Sequence, residues 1–276
     1  MPTPTPTTTS AAPVATTALP TVTLAGVPLH AVTEQQAIGH ILAGLDAGTG
    51  GWVVTPNLDH LRRLTRDAEF RELCLTADLR VADGMPLIWA ARLQRTPLPE
   101  RVAGSQLIWS LTRAAGDADR SVFLLGGEPG TADAAARILQ QHAPGLRVVG
   151  TLCPPPGFED DARFIRDMAD TLVSARPDIV YVALGSPKQE RLIARLRPAL
   201  PDAWWLGVGI SFSFVAGHVR RAPRWMQRLG LEWVHRLAQE PRRLARRYLL
   251  QGLPFAARLL ATAALPRPRH TPRHTP

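Results

Sequence analysis

The sequence predicts an α/β fold: a Rossmann-like, mostly parallel sheet with helices on both faces, followed by an arginine-rich C-terminal helical appendage. Three observations carry that reading. Short, continuously apolar runs such as SVFLL, DIVYVAL and WWLGV alternate with helical stretches of 10–15 residues, the order of strand and helix that builds a parallel sheet. Several of these runs end in glycine-rich or polar turns that open the next helix. After Gly217 the strand signals cease, and arginines recur among apolar residues.

Taken in order, TVTLAGVPLHAV reads as two short strands about a Gly-Val-Pro turn. The helix TEQQAIGHILAGLDAG follows, with Thr33 as N-cap and Gln36 at the third helical position, a capping box. GWVVTPN is a strand ending in a polar loop, and LDHLRRLTRDAEFRELCLTA has helical periodicity. LRVADG is a second strand with a sharp stop, and MPLIWAARLQ and SQLIWSLTRAAGD are helices separated by RTPLPERVAG. The middle of the chain repeats the pattern. SVFLLGGEPG leads into the helix TADAAARILQQHAP, then LRVVGT, CPPPGFEDD and the helix ARFIRDMADTLVSAR. DIVYVALG turns through SPKQ into ERLIARLRPAL, and WWLGVGISFSF reads as a further strand. The expected organisation is a disordered Thr/Pro-rich leader over 1–20, an α/β core over 21–217, a basic helical appendage over 218–262 and a disordered tail over 263–276.

Composition narrows the function classes. The chain has 276 residues and is 45% hydrophobic, enough for one sizeable domain and too apolar for wholesale disorder. Its two cysteines, Cys74 and Cys153, stand alone in their segments, so neither a disulfide framework nor a CxxC metal site is expected. Cys74, inside an apolar helical pattern, reads as core packing. The leader MPTPTPTTTSAAPVATTALP lacks the basic and apolar regions of a signal peptide, and no apolar run reaches bilayer length. A soluble or peripheral protein is expected. From Val219 onward, thirteen arginines face two acids, Glu232 and Glu240, a local balance of +11 that leaves the preceding 218 residues at −2 within a total of +9. A charge so concentrated indicates a dedicated contact with anions.

The candidate site residues lie in the loops after the strands. VFLLGGEPGT brings Gly126 and Gly127, VALGSPKQE brings Gln189, and LGVGISF leads to Ser213. In an open parallel sheet such loops border the ligand crevice, where helix N-termini favour phosphate. The GGEPG spacing departs from the GxGxxG pattern, which disfavours a dinucleotide and suits a nucleotide. Each loop alone also fits an ordinary tight turn. Thr55 and Asn57 of TPN place a hydroxyl and an amide at a strand end, or cap the next helix. Asp83, followed by Gly84, is either a turn residue or a base, and Arg101 either a solvated loop arginine or its charge partner. HExxH, CxxC and GxSxG sets are missing from the sequence, no DxD pair is read as holding a divalent metal on a nucleotide diphosphate, and no metal site is expected. The basic tail also permits an alternative, a nucleic-acid- or nucleotide-binding protein that is not an enzyme, although no base-stacking aromatic platform accompanies it.

Read in order, TPN, ADLRVADGMPL, PLPERVAG, VFLLGG, DIVYVALGSPKQE, GVGISFSFVAGHVRRAP and LGLEWVHRLAQEPRRLARR resemble the WecG/TagA/CpsF family of glycosyltransferases, family 26, over residues 22–250. The resemblance implies an inverting, metal-independent transfer from a UDP-sugar to a polyprenyl-diphosphate-linked sugar, without a cofactor, at the cytoplasmic face of the cell membrane. The product is a surface polysaccharide or wall polymer, and the donor sugar N-acetylmannosamine, its uronic acid or glucose. Asp83 matches the family's catalytic base and Arg101 the arginine of its ERVAG motif. Thr55, Asn57 and Gln189 match positions near the donor. Arg236, Arg243 and Arg246 match arginines of an appendage that contacts diphosphate and an anionic membrane surface, with Leu249, Leu250, Phe255 and Leu259 as its apolar partners there. Self-association into a homo-oligomer is implied as well. Ser213 stands in GVGISFS where the family often has aspartate, which bears on base or donor preference.

Overall fold

A computed structural model describes residues 19–265 of the chain. The leader through residue 18 and the tail from residue 266, both read from sequence as unstructured, lie outside the described residues. Strands β1 (Thr21–Leu24) and β2 (Val27–His30) form an antiparallel hairpin. Its turn falls at Ala25–Gly26, both at positive φ, one residue ahead of the Gly-Val-Pro turn expected from sequence. The main sheet has six strands: β3 (Gly51–Val54), β4 (Leu79–Arg80), β5 (Ser121–Gly126), β6 (Arg147–Leu152), β7 (Ile179–Ala183) and β8 (Trp204–Gly207). Their order is β4-β3-β8-β7-β5-β6, and every neighbouring pair is parallel. The chain runs outward from β3 to β4 on one side and from β5 to β6 on the other. The carboxyl ends where these directions diverge open the crevice.

Side-chain alternation along the strands explains why their sequences are apolar throughout. Phe123, Leu125, Val180 and Val182 enter one buried layer, while Val122, Leu124, Ile179 and Tyr181 enter the other. Helices cover both layers. Over the second lie α1 (Glu34–Asp46), α5 (Gly104–Asp117), α6 (Thr131–His142) and α9 (Ser211–Val215). Over the first lie α2 (Leu58–Leu64), α3 (Ala68–Leu75), α4 (Met85–Leu93), α7 (Ala162–Ala175) and α8 (Lys188–Leu196). The capping box of α1 forms as expected: Gln36 N–H donates to Thr33 Oγ1 at 3.1 Å and Thr33 N–H to Gln36 Oε1 at 2.9 Å. Cys74 is buried in the core.

Two elements differ from the sequence reading. The stretch 58–77 holds two helices, because Asp67 stops the first and caps the second by accepting from Phe70 N–H at 2.9 Å. The strand expected over 204–214 ends at Gly207. Beyond it Gly209 takes positive φ, Ser211 Oγ donates to the Val208 carbonyl at 2.5 Å, and residues 211–215 form α9, burying Phe212 and Val215 on one face.

The basic segment folds as α10 (Arg224–Arg228), α11 (Glu232–Gln239), α12 (Pro241–Ala245), a π-helical stretch Arg246–Gly252 and α13 (Leu253–Ala264). It is fixed to α2 by charge: Arg247 meets Asp59 at 3.0 Å, Asp59 meets Arg62 at 3.1 Å, and Arg62 Nη2 donates to Gln251 Oε1 at 2.8 Å. Helix α13 runs two residues into the stretch read as tail and buries Leu259 and Ala263 in the core layer over α4. Phe255 packs against the same layer. Leu259 and Phe255 therefore face inward rather than toward a membrane, while Leu249 and Leu250 stay exposed, Leu250 at 72%. The apolar count in this segment serves two surfaces, and only contacts with the rest of the fold separate them. Leu259→Ala is expected to lower unfolding free energy by about 2–5 kcal/mol, as core truncations do, whereas Leu250→Ala stays within about 0.5 kcal/mol. Chemical denaturation of the two variants checks the contrast.

Candidate active site

Three loops meet at the carboxyl ends of β3 and β4, and backbone hydrogen bonds tie them together. Val81 N–H donates to the Val54 carbonyl at 3.0 Å, Asp83 N–H to the Pro56 carbonyl at 2.8 Å, and Val102 N–H to the Ala82 carbonyl at 2.9 Å. The TPN loop, the ADG loop and the ERVAG loop thus form one unit. Gly84 has φ of +144°, a conformation side chains resist, so the chain can leave Asp83 sharply and enter α4. Asn57 caps α2 through Oδ1, which accepts from His60 N–H at 3.0 Å, so the capping role open to it in sequence is realised. A side chain at Gly104 would bring its Cβ within 3.2 Å of Thr55 Oγ1, so the start of α5 packs closely on the TPN loop.

Helix α5 has no side-chain cap of its own. The Gly104 amide at its start instead acts on Asp83, favouring the charged carboxylate at the positive end of a 14-residue helix. Asp83 keeps part of its surface open, yet desolvation dominates and raises its pKa to about 6. Arg101, the Gly104 N–H and Arg221 act in the opposite sense, and Glu232 adds to the rise. A carboxylate tuned toward neutrality accepts a proton better than an ordinary aspartate. Arg101 stands near Asp83, but its ion pair is with Glu232, Nη1 to Oε2 at 3.3 Å. Sequence reading had placed Arg101 here and missed Glu232 and Arg221. The one available signal was an acid standing among thirteen arginines.

The other candidates lie along the same edge of the sheet. Gly126 and Gly127 both take positive φ where β5 leaves the sheet, and a Cβ on Gly126 would sit 2.7 Å from the Ala183 carbonyl. Gly127 lies against Phe212 of α9, next to Ser213, which is half-buried. Cys153 Sγ donates to the Gly127 carbonyl at 3.2 Å, holding the turn from outside. Gln189 is buried, with Oε1 accepting from Gly209 N–H at 3.0 Å and Nε2 donating to Glu190 Oε1 at 2.8 Å. It braces the wall between the β7 and β8 loops, with Pro187 before it following a cis peptide bond. Arg236 on α11 is half-buried and Arg246 is exposed at the start of the π-helical stretch; neither takes part in the charge cluster around Asp83. Arg243 lies on α12.

Asp83, its pKa raised, thus stands with arginines beside it where three loops meet at the carboxyl ends of β3 and β4. A family model, the Glycosyl transferase WecG/TagA/CpsF family, matches residues 22–269. The chain belongs to this family. As a WecG/TagA/CpsF glycosyltransferase it moves a sugar from a donor to an acceptor, which removes the non-enzymatic alternative. The matched range takes in the described part of the basic segment, so in this family α10–α13 belong to the enzyme. Among the described residues no helix is long and apolar enough to cross a membrane.

The pKa of Asp83 gives two expected outcomes. Turnover that uses its ionised form falls as pH drops through about 6, and Arg101→Gln moves that midpoint upward because it removes a cation favouring ionisation; a pH–rate profile measures both. In stability the sign is opposite to that of a salt-bridged acid. The fold disfavours the Asp83 anion, a cost fully present above about pH 6 and absent below the unfolded-state value of 3.8. Asp83→Asn is therefore expected to raise the melting temperature at pH 7.5, by about 1–3 kcal/mol of stability, with the gain vanishing near pH 4.

Proposed function

We propose that the enzyme catalyses an inverting, metal-independent transfer of a hexosyl unit from a UDP-sugar to a polyprenyl-diphosphate-linked sugar, in assembly of a surface polysaccharide or wall polymer. The placement of Asp83 carries this reading: one desolvated carboxylate at a helix start, beside arginines. Asp83 takes the proton of the acceptor hydroxyl as that oxygen attacks the anomeric carbon from the face opposite the diphosphate. The bond to UDP breaks and its electron pair leaves on a phosphate oxygen. Arg101 and helix N-terminal amides stabilise that charge. Gly126, Gly127, Thr55, Asn57 and Ser213 border the nucleotide, and Gln189 supports the wall behind it. The donor is N-acetylmannosamine, its uronic acid or glucose carried on UDP, and a serine at 213 alters the contact to base or donor.

The basic segment supports a peripheral position at the inner face of the cell membrane. Near an anionic surface each arginine contributes about 1 kcal/mol. Exposed Leu249 and Leu250, followed by Leu253 at 47% exposure, stand beside the arginines of the π-helical stretch as apolar anchors. Arg236, Arg243 and Arg246 supply diphosphate contacts as the segment seats on the membrane, and a homo-oligomer is compatible with this arrangement. Because α13 belongs to the core, removing the whole segment tests folding rather than membrane contact.

Point substitutions separate the roles. Asp83→Asn is expected to lower release of UDP, with a polyprenyl-diphosphate-linked acceptor and a panel of UDP-sugars, by about 100-fold or more; turnover near the normal rate would remove Asp83 as the base. Leu249→Glu with Leu250→Glu should reduce sedimentation with anionic vesicles and turnover on lipid acceptor. Unfolding free energy and turnover on a short soluble acceptor should stay unchanged.

A further inference from the structure

Arg221 and Glu232 enter no step above, yet they stand at the base. Glu232 opens α11 and reaches across the crevice mouth with Oε2 3.3 Å from Arg101 Nη1 and Oε1 3.7 Å from Arg221 Nε. One fifth of each of these three side chains is exposed. Arg221 is held to the start of α5 by two long contacts, Nη1 to the Ser105 carbonyl at 3.4 Å and to Gln106 Oε1 at 3.5 Å. Its Nε and Nη2 are shut off from solvent without a hydrogen-bond acceptor. Buried guanidinium N–H groups are costly to leave unmet.

Two guanidiniums thus converge at the start of α5, and the group lying between them is a carboxylate carried by the basic segment. It fits the pair incompletely: one contact is long for an ion pair, and two Arg221 donors stay unmet. A diphosphate offers more acceptor oxygens and higher charge than one carboxylate, and planar guanidinium forks match phosphate oxygens. We propose that Arg101 and Arg221 form a diphosphate-binding site at the start of α5, and that Glu232 fills it from the basic segment until an anionic substrate displaces the carboxylate. The inference deepens the glycosyltransferase reading and rests on it for the source of the diphosphate, a nucleotide-sugar donor or a lipid-linked acceptor. Since Glu232 is the first residue of α11, filling the site releases that helix from Arg101 and Arg221, so occupancy and placement of the segment are coupled.

The test is equilibrium binding of inorganic pyrophosphate to the full chain by calorimetry, beside UDP and a short water-soluble prenyl diphosphate. Glu232→Gln, which removes the competing charge, is expected to bind pyrophosphate about fivefold tighter. Arg221→Gln should bind about tenfold weaker, and the double variant should show no gain from Glu232→Gln. Whichever of UDP and prenyl diphosphate gains affinity in step with pyrophosphate identifies the source; a gain by both means the site accepts either. Glu232→Ala must reproduce the gain, which guards against a contact rebuilt by glutamine. Unchanged or weaker pyrophosphate binding in both Glu232 variants, with melting like that of the parent chain, overturns the proposal. So does an absence of pyrophosphate binding in the parent chain and both variants. Binding requires no turnover, so its failure is distinct from failure of the Asp83 assay.

Discussion

The approach of Asp83 to the Gly104 amide joins the fold to the candidate site, because α5 begins without a side-chain cap and a carboxylate stands at its open start. A helix start leaves several amides without intrahelical partners. Here one of those unmet donors acts on a carboxylate that the chain delivers from the end of β4. The backbone bond from Val102 to Ala82 brings the two segments to this distance, and the bond from Asp83 to Pro56 sets the height of the loop against β3. Gly104 completes the arrangement, since a Cβ there would press on Thr55 Oγ1 at 3.2 Å. Mutual fit of three loops, rather than any single motif, places Asp83.

Opposing influences act on that carboxylate. Helix start and arginines favour its charge, while desolvation and Glu232 oppose it, and desolvation is the largest. The outcome is a carboxylate whose pKa is raised to about 6, at a cost to folding. Strongly perturbed groups of this kind gather at sites of chemistry. Gln189 shows the complementary case: its amide is spent on Gly209 and Glu190, so its contribution to the site is the shape of the wall.

Much of this was legible in the sequence, for identifiable reasons. Strands buried on both faces announce themselves as unbroken apolar runs, so β5 and β7 could be located, and the capping box of α1 is a purely local signal. The break between α2 and α3 turns on one capping aspartate inside a periodic stretch, and the end of β8 turns on the conformation of Gly209. Both are decided by backbone geometry that hydrophobic pattern does not carry. Asp83 and Arg101 each fitted an ordinary turn or loop residue locally, and the family resemblance singled them out, whereas Glu232 lies 131 residues from Arg101 along the chain. Nothing local to Glu232 distinguishes a site residue from a helix-start acid favoured by the helix dipole.

The basic segment looked uniform in sequence, yet the fold divides it by neighbour rather than by charge. Arg247 is committed to Asp59 and Arg221 to the start of α5, while Arg246 faces solvent. The apolar residues divide in the same way, Leu259 and Ala263 into the core and Leu249 and Leu250 outward. A segment anchored at α13 and tied to α2 is restrained at its distal end. The stretch between Gly217 and the π-helical turn lies outside those two ties. Within that stretch Glu232 pairs with Arg101 and Arg221 close to Asp83. Paired charges that keep one fifth of their surface in solvent exchange partners at small net cost, so the proposed displacement of this carboxylate requires no movement of α13.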